Sequence, residues 1–251
     1  MSATEGTELP QTCYPAVWIW PGLALYSGPG LGLDPHSGSV WCLAVGVDAP
    51  LTVEIDGFRV TARTALIPPR LTHHLTMTGP LVSCYLDPAT QRSAACRSQF
   101  RDVVHGIGIG HRFEQLLLSP PRNDQEARRW LDTAAPEELH PVDPRMELAA
   151  KQIRDDPVNA ARAAELAAEA GLSESRFLHL FSAEIGTSLR RYRMWCRLMH
   201  AGTELAAGAN LTTAAVEAGF AGSSHLSDRF KSTFGLSATQ LLATGLTIRT
   251  P

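Results

Sequence analysis

Two stretches of the chain decide the fold: AAELAAEAGLSESRFLHLFSAEIG (163–186) and TAAVEAGFAGSSHLSDRFKSTFG (213–235). Each reads as an Ala-rich helix, a glycine with an apolar residue, a tight polar turn, a second helix with aromatic anchors, and a closing glycine. Gly171 and Gly219 suit a turn that needs positive φ. Ser173 is a strong N-cap for the first of the second helices, whereas Gly222 or Ser223 opens the other less firmly. Phe177 and Phe181 stand i,i+4 with Leu180 alongside, and Leu226, Phe230 and Phe234 form one continuous row, so these faces are expected in the core. The opposite faces carry Ser175, Arg176, Leu178 and His179 in one copy. In the other they carry Ser223, Ser224, Ser227 and Asp228, with His225 beside them. Small side chains admit a helix to a major groove, and Arg, His and Ser can bond base edges, while Leu178 suits a thymine methyl.

Between the copies, Arg190 to Leu205 predicts a single helix of about 24 Å. A stiff spacer of that length can hold two recognition helices near the ~34 Å separation of successive major grooves. Residues 174–200 hold Arg176, Arg190, Arg191, Arg193 and Arg197 against Glu174 and Glu184, a local net charge of +3. Arg190 and Arg193, at the start of the spacer, are the expected phosphate contacts. A purely structural bundle would explain the Phe rows and the glycines, but not the duplication, the spacer and the Arg cluster together.

The stretch from about 145 to 243 resembles the AraC/XylS family of bacterial transcription regulators. The resemblance rests on LAAEAGLSESRFLHLF, on the G-T-S-L-x-x-Y spacing of 186–192, on Arg197-Leu198 with Ala201, and on AVEAGFAGSSHLSDRFKSTFG. It implies two helix-turn-helix motifs bridged by a helix, reading promoter DNA as direct repeats. It carries base-facing roles onto Ser175, Arg176 and His179, and onto Ser223, Ser224 and Ser227. Many family members have Arg where this chain has His179 and Asp228. An aspartate there either accepts from cytosine N4 or repels phosphates.

Residues 17–86 have a different rhythm. Short β-rich runs (AVWIW, VWCLAVGV, LTVEI, FRVTA, TALIP, HHLTM, LVSCYL) alternate with Gly and Pro, and Asp56-Gly57 marks a two-residue hairpin. Seven such runs predict an antiparallel sandwich or barrel. Helices are expected at about 92–104, 111–118 and 124–134, either packed on the barrel or forming a dimer seam. The fold class is therefore α+β: an antiparallel cupin-like barrel followed by an all-α domain with two helix-turn-helix motifs. The division is 1–135 (barrel about 17–86, helices about 92–134), a linker at 136–144 rich in proline, and 145–251.

Family resemblance makes the first domain a sensor of a small molecule and a contributor to dimerisation. Trp18, Trp20, Tyr26, His36, Trp41 and His73 are the candidate lining groups of its pocket, with core filling as the alternative for the aromatics. Cupin enzymes hold a metal with HxH…E…H; here Gly38 takes the place of the second His of the first pair, and no carboxylate sits at the usual spacing. His36, His73 and His74 are the remaining weak metal candidates, and no metal or other cofactor is expected. HGIGIGH (105–111) lacks the Lys-Ser/Thr of a phosphate loop, and no GxSxG elbow exists.

Composition bounds the rest. The 251 residues are 44% hydrophobic and 19% charged, the balance of a soluble globular chain with room for one large or two ordinary domains. No apolar run is long enough to span a membrane, and no secretory leader is evident. Cys13, Cys42, Cys84, Cys96 and Cys196 show no CxxC spacing, which fits reduced, buried thiols in a cytoplasm. Net charge is −4 over 1–142 and +1 over 143–251. The expected function is a cytoplasmic, non-enzymatic, sequence-specific regulator of transcription. Its partners are double-stranded promoter DNA, a small-molecule effector, RNA polymerase if it activates, and a second copy if it dimerises. The alternatives are a cupin-type metal enzyme with an accessory helical domain, or a constitutive DNA-binding protein whose barrel only dimerises.

Overall fold

A computed structural model describes residues 15–137 and 142–251. Cys13 and residues 138–141 of the expected linker lie outside the described residues. The strands are β1 (Ala16–Trp20), β2 (Leu23–Pro29), β3 (Trp41–Gly46), β4 (Leu51–Ile55), β5 (Phe58–Ala62), β6 (Thr64–Ile67), β7 (His74–Thr76), β8 (Pro80–Leu86), β9 (Phe100–Val104), β10 (Ile107–His111) and β11 (Thr247–Arg249). The helices are α1 (Gln91–Ser98), α2 (Glu114–Leu117), α3 (Asp124–Ala134), α4 (Pro144–Asp155), α5 (Ala163–Glu169), α6 (Glu174–Ile185), α7 (Leu189–Ala206), α8 (Leu211–Glu217), α9 (Ser223–Phe234) and α10 (Ala238–Leu242).

Eight strands form one sheet in the order β11-β1-β2-β8-β3-β6-β10-β9, and β5-β4-β7 form a smaller one. The two face each other in a barrel-like arrangement that does not close into a ring. Alternation along the strands gives the large sheet two buried faces. One face presents Trp18, Leu25, Leu43 and Val82 to Cys96, Leu117, Trp130 and Leu131 of α1–α3. The other presents Ala24, Tyr26, Cys42 and Ile67 partly to Val53, Val60 and Leu75 of the small sheet, and partly to the helical unit.

The Asp56-Gly57 hairpin forms as expected, with φ of 44° and 82° at the two turn residues. Three expectations change. LALYSGP, which was not among the seven runs, forms β2 and occupies the middle of the sheet between β1 and β8. The helix expected over 92–104 stops at Ser98, and FRDVV pairs with IGIGH as a hairpin around His105-Gly106, whose φ values of 50° and 82° give a second positive-φ turn. Of 111–118, only Glu114–Leu117 is helical. The segment 124–134 is helical over its whole length, capped by the Asn123 side chain accepting from the Glu126 N–H.

The helical unit ends in a strand. β11 pairs parallel to β1, Ala16 opposite Thr247, so the last residues extend the sheet that the first described ones begin. α7 packs on β1 and β11. Gly202 permits this approach, since a Cβ there would stand 2.5 Å from Ile19 Cδ1.

Candidate nucleic-acid interface

The first motif is α5, a turn at Gly171 (φ 67°) and α6. The Ser173 hydroxyl accepts from the Arg176 N–H at 3.3 Å and closes the N-terminus of α6. Phe177, Phe181 and Ile185 are fully buried, and Phe181 meets Tyr192 of α7 edge-on at 5.5 Å. That anchoring turns Ser173, Ser175, Arg176 and His179 to solvent, with Leu178 half-buried at their side.

The second motif is α8, a turn at Gly219 (φ 76°) and α9. The Asn210 side chain accepts from the Thr212 and Thr213 N–H groups, both at 3.0 Å, and starts α8. α9 lacks a side-chain cap at Gly222; instead, His225 Nδ1 accepts from the Ala221 N–H at 3.3 Å. This turns His225 back toward its own helix start. Leu226 and Phe234 are buried, Ser224 and Asp228 are exposed, and Ser223 and Ser227 are half-buried.

α7 has 18 residues, which at 1.5 Å per residue is about 27 Å. Its arginines divide. Arg190 is exposed and makes no side-chain hydrogen bond among the described residues, as is also true of Arg176. Arg193 is half-buried and donates to the Ala161 carbonyl, and burial together with Arg197 lowers its pKa. Arg197 donates to Pro157 O at 3.2 Å. These two tie the spacer to the α4–α5 connection.

One cation escaped the sequence reading. Lys231 continues the stripe of Ser224, Ser227 and Asp228 one turn further along α9, a spacing visible in the sequence. Its ammonium lies 2.8 Å from the Asp34 carboxylate, which it holds below the usual aspartate range. Around that pair the loop after β2 docks on the end of α9. The Asp34 N–H donates to Gly235 O at 2.7 Å, and the Ser37 N–H donates to Ser232 O at 3.2 Å. Gly235 must be glycine here: its φ is 83°, and a Cβ would stand 2.7 Å from both Asp34 O and His36 Nδ1. Arg191 also reaches this loop, donating to Ser37 Oγ at 3.2 Å.

The six groups expected to line a sensor pocket do not converge. Trp18 lies on the sheet face under α1–α3 and donates to Asp124 at 2.8 Å. Trp20 lies on that face under the Arg128 guanidinium, and Trp41 carries the Arg97 guanidinium 4.8 Å above its ring. His36 and His73 form a facing pair, ring centroids 4.3 Å apart, with each Nδ1 2.9 Å from a backbone carbonyl. Burial lowers both pKa values, that of His73 to about 4. His74 instead approaches Glu54 at 3.5 Å. Among the described residues, no group of three or more His, Cys, Asp or Glu is placed to hold a metal. Cys42, Cys84, Cys96 and Cys196 are buried free thiols, and burial pushes Cys42 up to about 12.

Tyr26 does face a narrow crevice of about 100 Å³ between the large sheet and α7, α9 and α10. Ile19, Tyr26 and Tyr85 form the sheet wall, and Met199, Phe230 and Leu241 the helical wall.

The family of helix-turn-helix domains matches residues 166–244. The chain carries an AraC-type helix-turn-helix domain. That domain places the protein among DNA-binding transcription regulators. No curated protein matches the chain in sequence. Several solved structures share the fold of the whole. An apo ToxT variant from Vibrio cholerae strain SCE256 is 11% identical with a TM-score of 0.58, over 89% of this chain and 97% of that one. ToxT in another crystal form is 13% identical with a TM-score of 0.54, over 89% and 98%. Wild-type ToxT of strain SCE256 with an unsaturated fatty acid bound is 11% identical with a TM-score of 0.51, over 93% and 95%. The AraC-type domain of this chain thus follows a sheet domain in the same architecture. Among the described residues, no helix is long and apolar enough to cross a membrane.

Proposed function

We propose that the protein is a sequence-specific transcription regulator of the cytoplasm, not an enzyme. In this reading it binds double-stranded promoter DNA through α6 and α9, and a small molecule in the crevice sets its DNA affinity. The observation that carries the reading is the pair of matching motifs whose polar faces reach solvent while their aromatic faces turn inward, Phe181 of α6 onto Tyr192 of α7 and Phe234 of α9 onto Tyr85 of β8. Ser175, Arg176 and His179 read bases in one major groove, and Ser223, Ser224 and Ser227 in the next. Arg190 contacts phosphate. Arg193 and His225 position their helices through the backbone contacts they make.

The crevice supports effector control because its two walls belong to different units, so a ligand touching both biases how they dock. Docking has a consequence at the other end of the interface: Asp34 occupies Lys231, and Ser37 occupies Arg191. Both cations adjoin the reading faces, and phosphate contacts by them require the loop to yield. A ligand shifts this equilibrium only by its difference in affinity for the two arrangements. One that fits the closed crevice favours docking and weakens DNA binding; one that needs more room frees the domain. The fatty acid bound in the ToxT structure is a small molecule held by a protein of this fold, which supports the assignment of an effector. RNA polymerase is the protein partner of an activator of this kind, and a second copy would extend the contact over tandem sites.

Selection of genomic fragments by the full-length protein tests the reading, followed by affinity measurements on the recovered site. Arg176→Ala is expected to cost about 1–3 kcal/mol on the selected site and far less on random DNA. Equal losses on both would make Arg176 a phosphate contact and remove the base-reading role of α6.

A further inference from the structure

We infer that the effector of the crevice is an uncharged, apolar molecule carrying no more than a hydroxyl or carbonyl group. The inference rests on the crevice being the effector site. Among the described residues that line it, none is Lys, Arg, His, Asp or Glu. Its polar atoms are the hydroxyls of Tyr26, Ser83 and Tyr85. The Tyr26 hydroxyl already donates to Pro29 O at 2.7 Å, and burial raises both phenols above their ordinary range, so they stay neutral.

The cations nearest the crevice lining on the wall elements turn to other partners. Lys231 pairs with Asp34, Arg197 donates to Pro157 O, His200 faces Glu204 at 3.9 Å, and Arg249 reaches Asp124 at 3.4 Å. Arg229 is exposed and does not line the crevice. β2, β8 and α10 contain no Lys, Arg or His. The first fourteen residues contain none either, so that segment holds no basic side chain to contribute.

A carboxylate or sulfonate placed here would give up its water and meet no counter-charge. Burying such an ion without a partner costs far more than the apolar contacts of its own tail return. An uncharged ligand gives up little, and its affinity grows with the apolar surface it covers. Ser83 and Tyr85, adjacent to the fully buried Val82 and Cys84 on β8, are the groups left to meet one hydroxyl or carbonyl.

Two fluorescent probes share one skeleton and differ by a single anion: phenylnaphthylamine and anilinonaphthalene sulfonate. Titrated into the full-length protein at neutral pH, the uncharged probe is expected to bind at least about tenfold more tightly. Dodecanol should displace it, and dodecanoate should not. Leu205→Trp, at the half-exposed rim on α7, should abolish probe binding. Leu242→Arg, also half-exposed at the rim, should shift preference toward the sulfonate. Sulfonate or dodecanoate binding as tightly as the uncharged probes, and lost in Leu205→Trp, would overturn the inference while leaving the crevice as the effector site. No probe binding, or binding indifferent to Leu205→Trp, would remove the effector site itself and the inference with it.

Discussion

Replacing Asp87 tests what holds the helical unit against the sheet. The carboxylate ends β8 and is fully buried. It accepts from the Tyr192 hydroxyl at 2.7 Å, from Arg154 Nη1 at 3.2 Å and from the Ala89 N–H at 2.8 Å. Arg154 belongs to α4 and Tyr192 to α7, and Arg154 also donates to the Tyr192 oxygen at 2.7 Å. One acid thus fastens two helices of the helical unit to the large sheet. Asp87→Ala strands a guanidinium and a phenol in a dry site. Breaking a buried pair from one side costs about 3–5 kcal/mol, and the Arg154 side chain is 19% exposed, which places the loss near the lower bound. Burial raises the Asp87 pKa against the pull of Arg154 and Tyr192. Asp87→Asn keeps one acceptor but turns its NH2 toward a donor and leaves Arg154 without a counter-charge, so it should cost about 2–3 kcal/mol. Tyr192→Phe removes one bond to a charged acceptor, about 1.5–2 kcal/mol. Since Asp87→Ala and Tyr192→Phe delete the same contact, the variant carrying both should fall short of their sum by about 1–2 kcal/mol. Urea unfolding at neutral pH, followed by tryptophan fluorescence, compares the four variants with the wild type. Trp18, Trp20 and Trp41 report on the sheet and Trp195 on α7, so Asp87→Ala should also separate one transition into two. A loss below about 1 kcal/mol in Asp87→Ala, or strict additivity, would show that apolar packing alone holds the interface.

Two further outcomes concern the docked loop. The folded protein keeps His36 and His73 neutral where the unfolded chain would protonate them near 6.5, so stability is complete above that pH and falls as pH drops toward 4. At about pH 5, His73 alone should cost about 2 kcal/mol, read from the urea midpoint against pH, and His73→Gln should flatten that slope; an unchanged slope would refute the assignment. Asp34→Asn releases Lys231, so the full-length protein should bind its selected site more tightly at low salt, measured by fluorescence anisotropy. Unchanged or weaker binding would mean that the loop and DNA do not compete for α9.

The helix-turn-helix unit was legible because its sequence solves one packing problem twice. Phe177 and Phe181 in one copy answer Leu226, Phe230 and Phe234 in the other, and glycines at 171 and 219 supply the positive φ that each turn takes. Local rules suffice there. They failed for β9, where FRDVV follows directly on a helix and is held extended only by its pairing with β10. They also failed for β2, whose Ser27-Gly28-Pro29 end reads as loop until β8 pairs along its whole length. Alternation alone leaves open which face of a strand points where. The tryptophans at 18 and 20 share a parity that turns both toward α1–α3, so for these two the core-filling alternative holds.

The crevice has no signature in the sequence for a related reason. Each wall is ordinary core by composition: Ile19 and Tyr85 on strands, Met199 and Phe230 on helices. The frame of the crevice comes from contacts far apart in the chain: α7 meets β1 closely at Gly202, Phe234 of α9 meets Tyr85 of β8 edge-on, and the loop after β2 seats Asp34 on Gly235. The same loop holds Lys231 by the Asp34 carboxylate. Under the proposed function, filling the crevice and presenting α9 are linked, and a ligand that shifts the docking of the two units shifts the DNA contact without touching any residue that reads a base.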